Sequence, residues 1–204
     1  EDPDCASRPF DAERTGIVCG EGAGILLLES LESAQARNAP ILAEIRGTAI
    51  SSSPGSIAQP DAAAIADCMR RTLEDAGAQP QDVAYVNAHA TATEFGDIAE
   101  GQAIEAVFGS TTPVSSFKGH LGHTMAASGA LESILCIEML QASTYFPTRG
   151  LRNPDARCGI LNHMHDKMHK PSGLVLKNSF ALGGCNCTII FDSLRENSMN
   201  VGKE

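Results

Sequence analysis

The sequence predicts a layered α/β fold, and two observations carry this prediction. Short apolar segments alternate along the chain with segments of helical periodicity, which favours helices packed on a sheet through right-handed crossovers. Of the 204 residues, 43% are hydrophobic but only 4% are aromatic. A chain of this length can bury one sizeable core. Its small side chains suit helices that lie closely on a parallel sheet better than they suit an aromatic-rich sandwich.

The first elements are predicted from glycines and a helix cap. Residues 14–30, RTGIVCGEGAGILLLES, carry four glycines between apolar side chains, which predicts two strands joined by a tight connection. Ser30 is a good N-cap for a short helix that extends to about Ala36. Residues 41–51 alternate partially and predict a long strand, which the Ser/Pro/Gly-rich loop 52–60 follows.

Caps and apolar stripes predict the middle elements. Asp61 caps a helix that ends at Gly77, and its inward side chains are Ile65, Met69 and Leu73. Residues 82–88 form the next short strand. Asp97 is the predicted cap of a second helix, which is stopped by Gly109 and buries Ile104, Val107 and Phe108.

The stretch from Val114 to Ala130, VSSFKGHLGHTMAASGA, is the one around which we expect the rest to be organised. It predicts a short strand, a turn with a lysine and two histidines, and a helix that Thr124 opens and that continues to about Gln141. Residues 174–178 and 187–191 predict two closing strands around the bend SFALGGCN. The polar residues after Asp192 predict a frayed tail.

Charge and cysteine content exclude several classes of function. A formal net charge of −10 leaves no basic stripe for a nucleic acid. We find neither a run of eighteen apolar residues nor a signal peptide, so the sequence predicts no membrane segment. Seven cysteines at irregular spacing favour reduced, mostly buried thiols in a cytoplasmic protein. Cys185 and Cys187 have no second pair, so no metal site is predicted.

Three turns that follow predicted strands carry the groups most suited to chemistry. They contain His89, then Lys118 and His123, then residues 180–186. If the three strands are neighbours, these turns open on one edge of the sheet, where open α/β sheets bind ligands. Two converging imidazoles could hold a carbonyl oxygen as it gains negative charge. The glycines at 183 and 184 would let backbone N–H groups form a second oxyanion-type site.

Four motifs in this order resemble the C-terminal half of a β-ketoacyl-acyl carrier protein synthase, one of the thiolase-like condensing enzymes. The motifs are PFDAERTGIVCGEGAG, VNAHATAT, KGHLGH and NSFALGGCNCTIIF. They cover nearly the whole chain, and four motifs in register are a specific signal. The resemblance implies a layered α/β/α fold. Residues 1–38 would end the N-terminal half, residues 39–194 would form the C-terminal half, and residues 195–204 would be the tail.

The resemblance also implies a reaction, decarboxylative Claisen condensation of malonyl-carrier protein with an acyl thioester in fatty acid or polyketide synthesis. His89 and His123 would bind the malonyl thioester carbonyl, and Lys118 would act electrostatically. Supporting roles fall to Glu132, as the partner of Lys118, and to Asp97. The residues implied in binding pantetheine and acyl substrate are Thr91, Thr93, Phe180, Leu182, Gly183 and Gly184. The chain itself would bind no cofactor, since the carrier protein brings the phosphopantetheine.

The chain departs from the family pattern at four places. Ala90, Leu182 and Cys185 stand where glycine, phenylalanine and threonine are usual. A smaller gate at Leu182 hints at bulkier or more rigid acyl chains, as in polyketide or polyene assembly. The nucleophilic cysteine of the family has no counterpart here, because neither Cys5 nor Cys19 matches it. We therefore expect the isolated chain to be inactive. The expected partners are an acyl carrier protein and a missing N-terminal half or partner ketosynthase chain, in a homo- or heterodimer.

Three other classes of function stay open. A chain-length-factor-like subunit would be non-catalytic, and the intact histidines and lysine argue against it. A β-ketothiolase would need a catalytic cysteine in the terminal loop, where Cys185 lies. A pure binding module would give the two histidines no role. The remaining histidines predict no site, with His120 in an exposed turn and three in a partly exposed strand or loop, His163, His165 and His169. Candidates for carrier docking are Arg70, Arg71, Arg149 and Arg152.

Overall fold

The computed structural model describes residues 5–53, 59–170 and 173–193. Their strands, in chain order, are β1 (Glu44–Ser52), β2 (Val83–Asn87), β3 (Pro113–Ser115), β4 (Thr144–Tyr145), β5 (Asn162–His163), β6 (Met168–His169), β7 (Leu174–Ala181) and β8 (Cys185–Asp192). Six of them form one sheet in the order β1-β8-β7-β2-β3-β5, and β4 pairs with β6. Most of the predicted 52–60 loop and almost all of the predicted tail lie outside the described residues.

Helices cover both faces of the sheet. They are α1 (Leu31–Ala36), α2 (Ala62–Asp75), α3 (Glu94–Phe108), α4 (Lys118–Leu121) and α5 (Ser128–Gln141). Helices α2 and α3 bury their apolar side chains with Val86 and Leu176 on one face. Helix α5 packs with Tyr85 and Val175 on the other. The predicted α/β/α layering is therefore confirmed. Among the described helices, none is long and apolar enough to cross a membrane.

Two predicted helix caps are present. The Ser30 hydroxyl accepts a hydrogen bond from the backbone N–H of Ser33 over 3.2 Å, and α1 follows. The Asp61 carboxylate accepts from the N–H groups of Ala63 and Ala64 at the start of α2. Gly77 follows α2 with φ at +60°, the left-handed conformation that glycine adopts without strain.

Asp97 is not a helix cap, which corrects the prediction. Helix α3 begins at Glu94 after Thr93, so Asp97 lies one turn inside it. The Asp97 carboxylate is fully buried and accepts a hydrogen bond from the backbone N–H of Phe10 over 2.7 Å. Arg14 Nε lies 3.7 Å from the same oxygen. Asp97 therefore ties the N-terminal segment to α3.

The sheet is mixed, whereas the composition favoured a parallel one. Strands β5, β3, β2 and β7 are parallel, but β8 runs antiparallel to both β7 and β1. The reason is the short connection between β7 and β8, residues 182–184. A connection this short can join only antiparallel strands, because a parallel crossover needs a dozen or more residues.

The glycine-rich segment 14–30 does not form the two predicted strands. Within the described residues its pairing is limited to an isolated parallel bridge between Cys19 and His123. The His123 N–H donates to the carbonyl of Val18, and the Gly20 N–H donates to the carbonyl of His123. Isolated strands are not stable without neighbours, and in the part of the chain that the structure describes no strand of either sheet pairs with this segment. Its apolar side chains stay largely exposed, among them Ile25, Leu27 and Leu28.

The predicted turn between β3 and the following helix is itself helical. Lys118 to Leu121 forms the single turn α4, and a second short turn of 3-10 type covers Met125–Ala127. Helix α5 therefore begins at Ser128, four residues after the predicted start at Thr124. Gly122, with φ at +67°, separates the two turns. Lys118 therefore lies in α4 and His123 lies after the break, so the two side chains do not project from one continuous loop.

His163 differs from the expected exposed histidine. It lies on β5 with 8% of its surface exposed, packs against the Phe10 ring at 5.1 Å between centroids, and has no hydrogen-bond partner for Nδ1. Burial, together with the nearby His165, lowers the pKa of His163 to about 4. As expected, His165 and His169 are exposed.

This burial predicts a loss of stability in acid. Below the unfolded-state pKa of 6.5 the unfolded chain takes up a proton that folded His163 does not bind. The free energy of unfolding should therefore fall as the pH drops, and His163 alone should account for about 2 kcal/mol near pH 5. His163→Phe should remove this part of the pH dependence in denaturant titrations at about pH 7.5 and about pH 5. The control His120→Gln should leave it unchanged, and an equal acid loss in His163→Phe would contradict the assignment.

Candidate active site

The three predicted turns meet at one edge of the sheet. Strand β2 is parallel to both β3 and β7, so their carboxyl ends lie side by side. The His89 ring lies 5.5 Å from the His123 ring, centroid to centroid, in an edge-to-face arrangement. The His89 ring also lies 5.6 Å from the Phe180 ring. The sequence therefore predicted correctly which turns converge.

A buried carboxylate holds the His89 turn from below. Glu100 of α3 accepts hydrogen bonds from the backbone N–H groups of His89, over 2.8 Å, and Ala90, over 2.6 Å. Its Oε1 also accepts from the Asn178 amide over 3.0 Å. Burial raises the pKa of Glu100, and the two backbone N–H groups oppose that rise. Glu100 thus fixes the backbone from which His89 projects.

Hydrogen bonding selects one tautomer of His123. The backbone N–H of Met125 donates to His123 Nδ1 over 3.1 Å, and the Ser128 hydroxyl lies 3.1 Å from the same atom. A backbone N–H can only donate, so Nδ1 carries no proton. The proton of the neutral ring therefore resides on Nε2. This makes His123 Nε2 a hydrogen-bond donor, as an oxyanion site requires.

The surroundings of both imidazoles favour their neutral form. Burial lowers the pKa of His89 well below its ordinary value, and the positive charge of Lys118 adds to this effect. Burial and Lys118 lower the pKa of His123 in the same direction, against the opposing charge of Glu132. Each ring then offers one N–H donor and one acceptor. The pair can donate to one oxygen without bringing a full charge into the site.

Lys118 and Glu132 form the predicted pair, deep in the protein. Lys118 Nζ lies 2.5 Å from Glu132 Oε1, and neither residue is more than 2% exposed. Burial lowers the pKa of Lys118, and Glu132 opposes this shift. A second lysine, Lys177 of β7, places its Nζ 3.3 Å from Glu132 Oε2. One carboxylate therefore faces two ammonium groups.

The residues expected to contact substrate lie after β2, in the segment that leads into α3, and in and beside the β7–β8 turn. The hydroxyl oxygens of Thr91 and Thr93 lie 3.0 Å apart at the start of α3. Leu182 is 79% exposed at the tip of the β7–β8 turn. Gly183 and Gly184 follow it with φ at +85° and +78°. A side chain on Gly184 would also place its Cβ 2.4 Å from the carbonyl oxygen of Ser53, so glycine is required there.

Other candidate groups lie outside this cluster. His120 is exposed, and its Nε2 lies 2.9 Å from the carbonyl oxygen of Pro147. Within the described residues no group of side chains could hold a metal ion. All seven cysteines are free. We expected most of these thiols to be buried, but only three of them are: Cys68, Cys136 and Cys158.

Sequence reasoning missed Glu100 and Lys177. Glu100 lies one helical turn before the buried Ile104, on the same face of α3, and that spacing could have marked it as buried. Lys177 lies two residues after Val175 in a buried strand, so the alternation of a strand places both side chains on the α5 face of the sheet. A lysine on a buried face signals a charge that needs a partner.

Replacing the carboxylate beneath His89 tests this part of the site. In Glu100→Gln an amide N–H₂ would replace one oxygen that accepts hydrogen bonds and would leave a buried backbone N–H without a partner. We expect the free energy of unfolding to fall by about 2 kcal/mol. The measurement is denaturant unfolding, with the exposed Glu138→Gln as the control. Equal stability of both variants would show that Glu100 does not hold the turn.

Comparisons with known proteins agree with this architecture. Residues 42–152 match the family described as "Beta-ketoacyl synthase, C-terminal domain". The chain is 38% identical over 199 residues to 3-oxoacyl-[acyl-carrier-protein] synthase I, chloroplastic, of Arabidopsis thaliana, covering 96% of this chain and 42% of the relative. The chain thus spans less than half the length of this curated relative.

Solved structures show the same fold. A beta-ketoacyl synthase from Burkholderia phymatum STM815 superimposes with a TM-score of 0.93 at 43% identity, over 95% of this chain and 48% of that one. AntDE:AntF, a type II PKS acyl-carrier protein in complex with its ketosynthase bound to the hexaketide, has a TM-score of 0.88 at 33% identity over 96% and 49% of the two chains. This chain belongs to the beta-ketoacyl synthase family and carries its C-terminal domain.

Proposed function

We propose that this chain supplies the two-histidine part of the active site of a β-ketoacyl synthase. The substrates would be malonyl-carrier protein and an acyl thioester, and the reaction a decarboxylative Claisen condensation. The observation that carries the proposal is the pair of neutral rings, His89 and His123, 5.5 Å apart at one sheet edge. One oxygen between them could accept a hydrogen bond of about 2.9 Å from each ring.

The two histidines would stabilise the charge that develops during decarboxylation. The bond between the malonyl Cα and its carboxylate carbon breaks, carbon dioxide departs, and the electron pair passes through Cα to the thioester oxygen. N–H donors of His89 and of His123 Nε2 would hold that oxygen as it becomes negative. The Cα then attacks the acyl thioester carbon and displaces the thiolate. Lys118 is held in place by its ion pair with Glu132, and its positive charge would act on the site from below the rings.

The surrounding residues would position the substrates. The hydroxyls of Thr91 and Thr93 would hydrogen-bond the phosphopantetheine arm, which arrives with the carrier protein rather than as a bound cofactor. The N–H of Leu182 and the turn Gly183–Gly184 would form the oxyanion site for the acyl thioester. The exposed Leu182, beside Phe180, would gate the acyl pocket. A leucine gate would admit bulkier or more rigid acyl chains than a phenylalanine gate does.

We propose that the nucleophilic cysteine and the rest of the site come from residues outside this sequence, in an N-terminal half or a partner chain. The relatives are about twice as long as this chain, which supports the proposal. The AntDE:AntF complex supports an acyl carrier protein as the other partner. A catalytic role is favoured over a chain-length-factor-like role, because the two histidines and Lys118 are all in place.

Removing one imidazole tests the proposed function. In the complete enzyme that contains this chain, His123→Ala should lower malonyl-carrier protein decarboxylation by about a hundredfold or more, because the oxyanion loses one of its two donors. Release of carbon dioxide is the measurement, and the exposed His120→Ala is the control. Decarboxylation that persists in His123→Ala at the rate of the control would count against the proposal.

The exposed Cys185 distinguishes the synthase from a β-ketothiolase. A β-ketothiolase would use a thiol in this terminal turn as its catalytic group. In the proposed synthase the Cys185 thiol has no role, so the rate of condensation by Cys185→Ser should stay within about twofold of that of the unchanged enzyme. Condensation by the complete enzyme is the measurement, with Cys187→Ser as a matched control. A specific loss of activity in Cys185→Ser would favour the thiolase alternative.

A further inference from the structure

Lys177 is a charged residue on a strand whose neighbours are buried and apolar. It follows Leu174, Val175 and Leu176 on β7 and is itself 2% exposed. In the sheet it pairs with Asn87 of β2, two residues before His89. Its Nζ lies 3.3 Å from Glu132 Oε2 and donates a hydrogen bond to the Ser179 hydroxyl. Lys177 thus lies beneath the candidate site without lining it.

The charges around Glu132 do not cancel. Its Oε1 faces Lys118 and its Oε2 faces Lys177, so two buried ammonium groups share one carboxylate. The other buried acid near the site, Glu100, accepts hydrogen bonds from two backbone N–H groups and from Asn178, and its charge opposes the lowering of the Lys118 pKa. Within the Lys118–Glu132–Lys177 cluster itself, two positive charges face one negative charge, which leaves one positive charge in excess below the two imidazoles.

We propose that Lys177 is a positioning residue of the active site, a second cation that fixes Glu132 and keeps His89 and His123 neutral. The proposal rests on the proposed function and adds a residue to it. Lys177 does not contact the substrate. It acts on the rings through its charge and through the orientation of Glu132. Glu132 in turn holds Lys118.

The electrostatics of the neighbouring groups agree with this role. After burial and Lys118, the charge of Lys177 is a further cause that lowers the pKa of both His89 and His123. Lys177 forms its ion pair with Glu132 (α5), and its charge also acts on Lys118 (α4), Cys136 (α5) and Cys187 (β8). Two further titratable groups act on members of this cluster, Tyr85 (β2) through Glu132 and Glu100 (α3) through Lys118. Burial raises the pKa of the Tyr85 hydroxyl and of the Cys136 and Cys187 thiols, so these three stay neutral.

A neutral His123 matters for geometry as well as for charge. If Nδ1 took up a proton, it could no longer accept the hydrogen bond from the N–H of Met125. Two donors would then face each other, and the ring would turn away. The cation at Lys177 opposes that protonation. Loss of the Lys177 charge should therefore raise the pH below which protonation inactivates the site.

The test is the pH profile of malonyl-carrier protein decarboxylation by the complete enzyme. In Lys177→Met the acidic limb should move to higher pH by about half a unit to one unit, and the plateau at higher pH should stay within about threefold. Lys167→Met, which removes an exposed lysine, should superimpose on the unchanged enzyme. A plateau that falls without a shift of the acidic limb would overturn the proposal, because it indicates a purely structural role.

Lys177→Gln is the second variant, since it keeps a polar group that can reach the Ser179 hydroxyl. The same shift of the acidic limb is expected. If both variants fail to fold, as judged by far-UV circular dichroism and size exclusion, Lys177 is structural and the proposal is wrong. Failure of the proposed function is a separate result, because the unchanged enzyme would then release no carbon dioxide from malonyl-carrier protein.

Discussion

The carboxylate of Glu132 is the point on which the candidate site depends. It lies on α5, in a part of the helix whose side chains are buried. It accepts a hydrogen bond from Lys118 of α4 and forms an ion pair with Lys177 of β7. Unpaired, any one of these charges would cost several kcal/mol to bury. Together they join a helix, a strand and the turn that precedes His123. The same three charges therefore hold α5 against its neighbours and set the electrostatic environment of the two histidines.

The sheet supplies the other constraint. Because β2, β3 and β7 are parallel, the turns after them share an edge, and each turn brings one part of the site. Below the His89 turn Glu100 accepts two backbone N–H groups, and beside the His123 turn the bridge to Cys19 fixes the backbone. Rings placed by backbone contacts on both sides are preorganised. Preorganised donors need no rearrangement when charge develops on a substrate oxygen.

The pattern of the sequence was sufficient for the α/β layers and for the convergence of the turns, and the resemblance to the condensing enzymes supplied the pair of Lys118 with Glu132. The pattern was insufficient where contacts between residues distant in sequence determine the local structure. Asp97 has the sequence context of a helix cap, but its carboxylate accepts a hydrogen bond from the backbone N–H of Phe10, which lies 87 residues away in sequence. Residues 14–30 have the composition of strands, and pairing fails because a strand needs a neighbour. Lys177 was overlooked because its partner lies on a helix that is distant in sequence.

The most direct test of the account is the protonation state of the two rings. Nitrogen-15 NMR of the complete enzyme, labelled in histidine and assigned with His89→Gln and His123→Gln, reports the charge and tautomer of each ring. Both rings should be neutral at neutral pH, and the proton of His123 should be on Nε2. An imidazolium at either position, or a proton on His123 Nδ1, would contradict it.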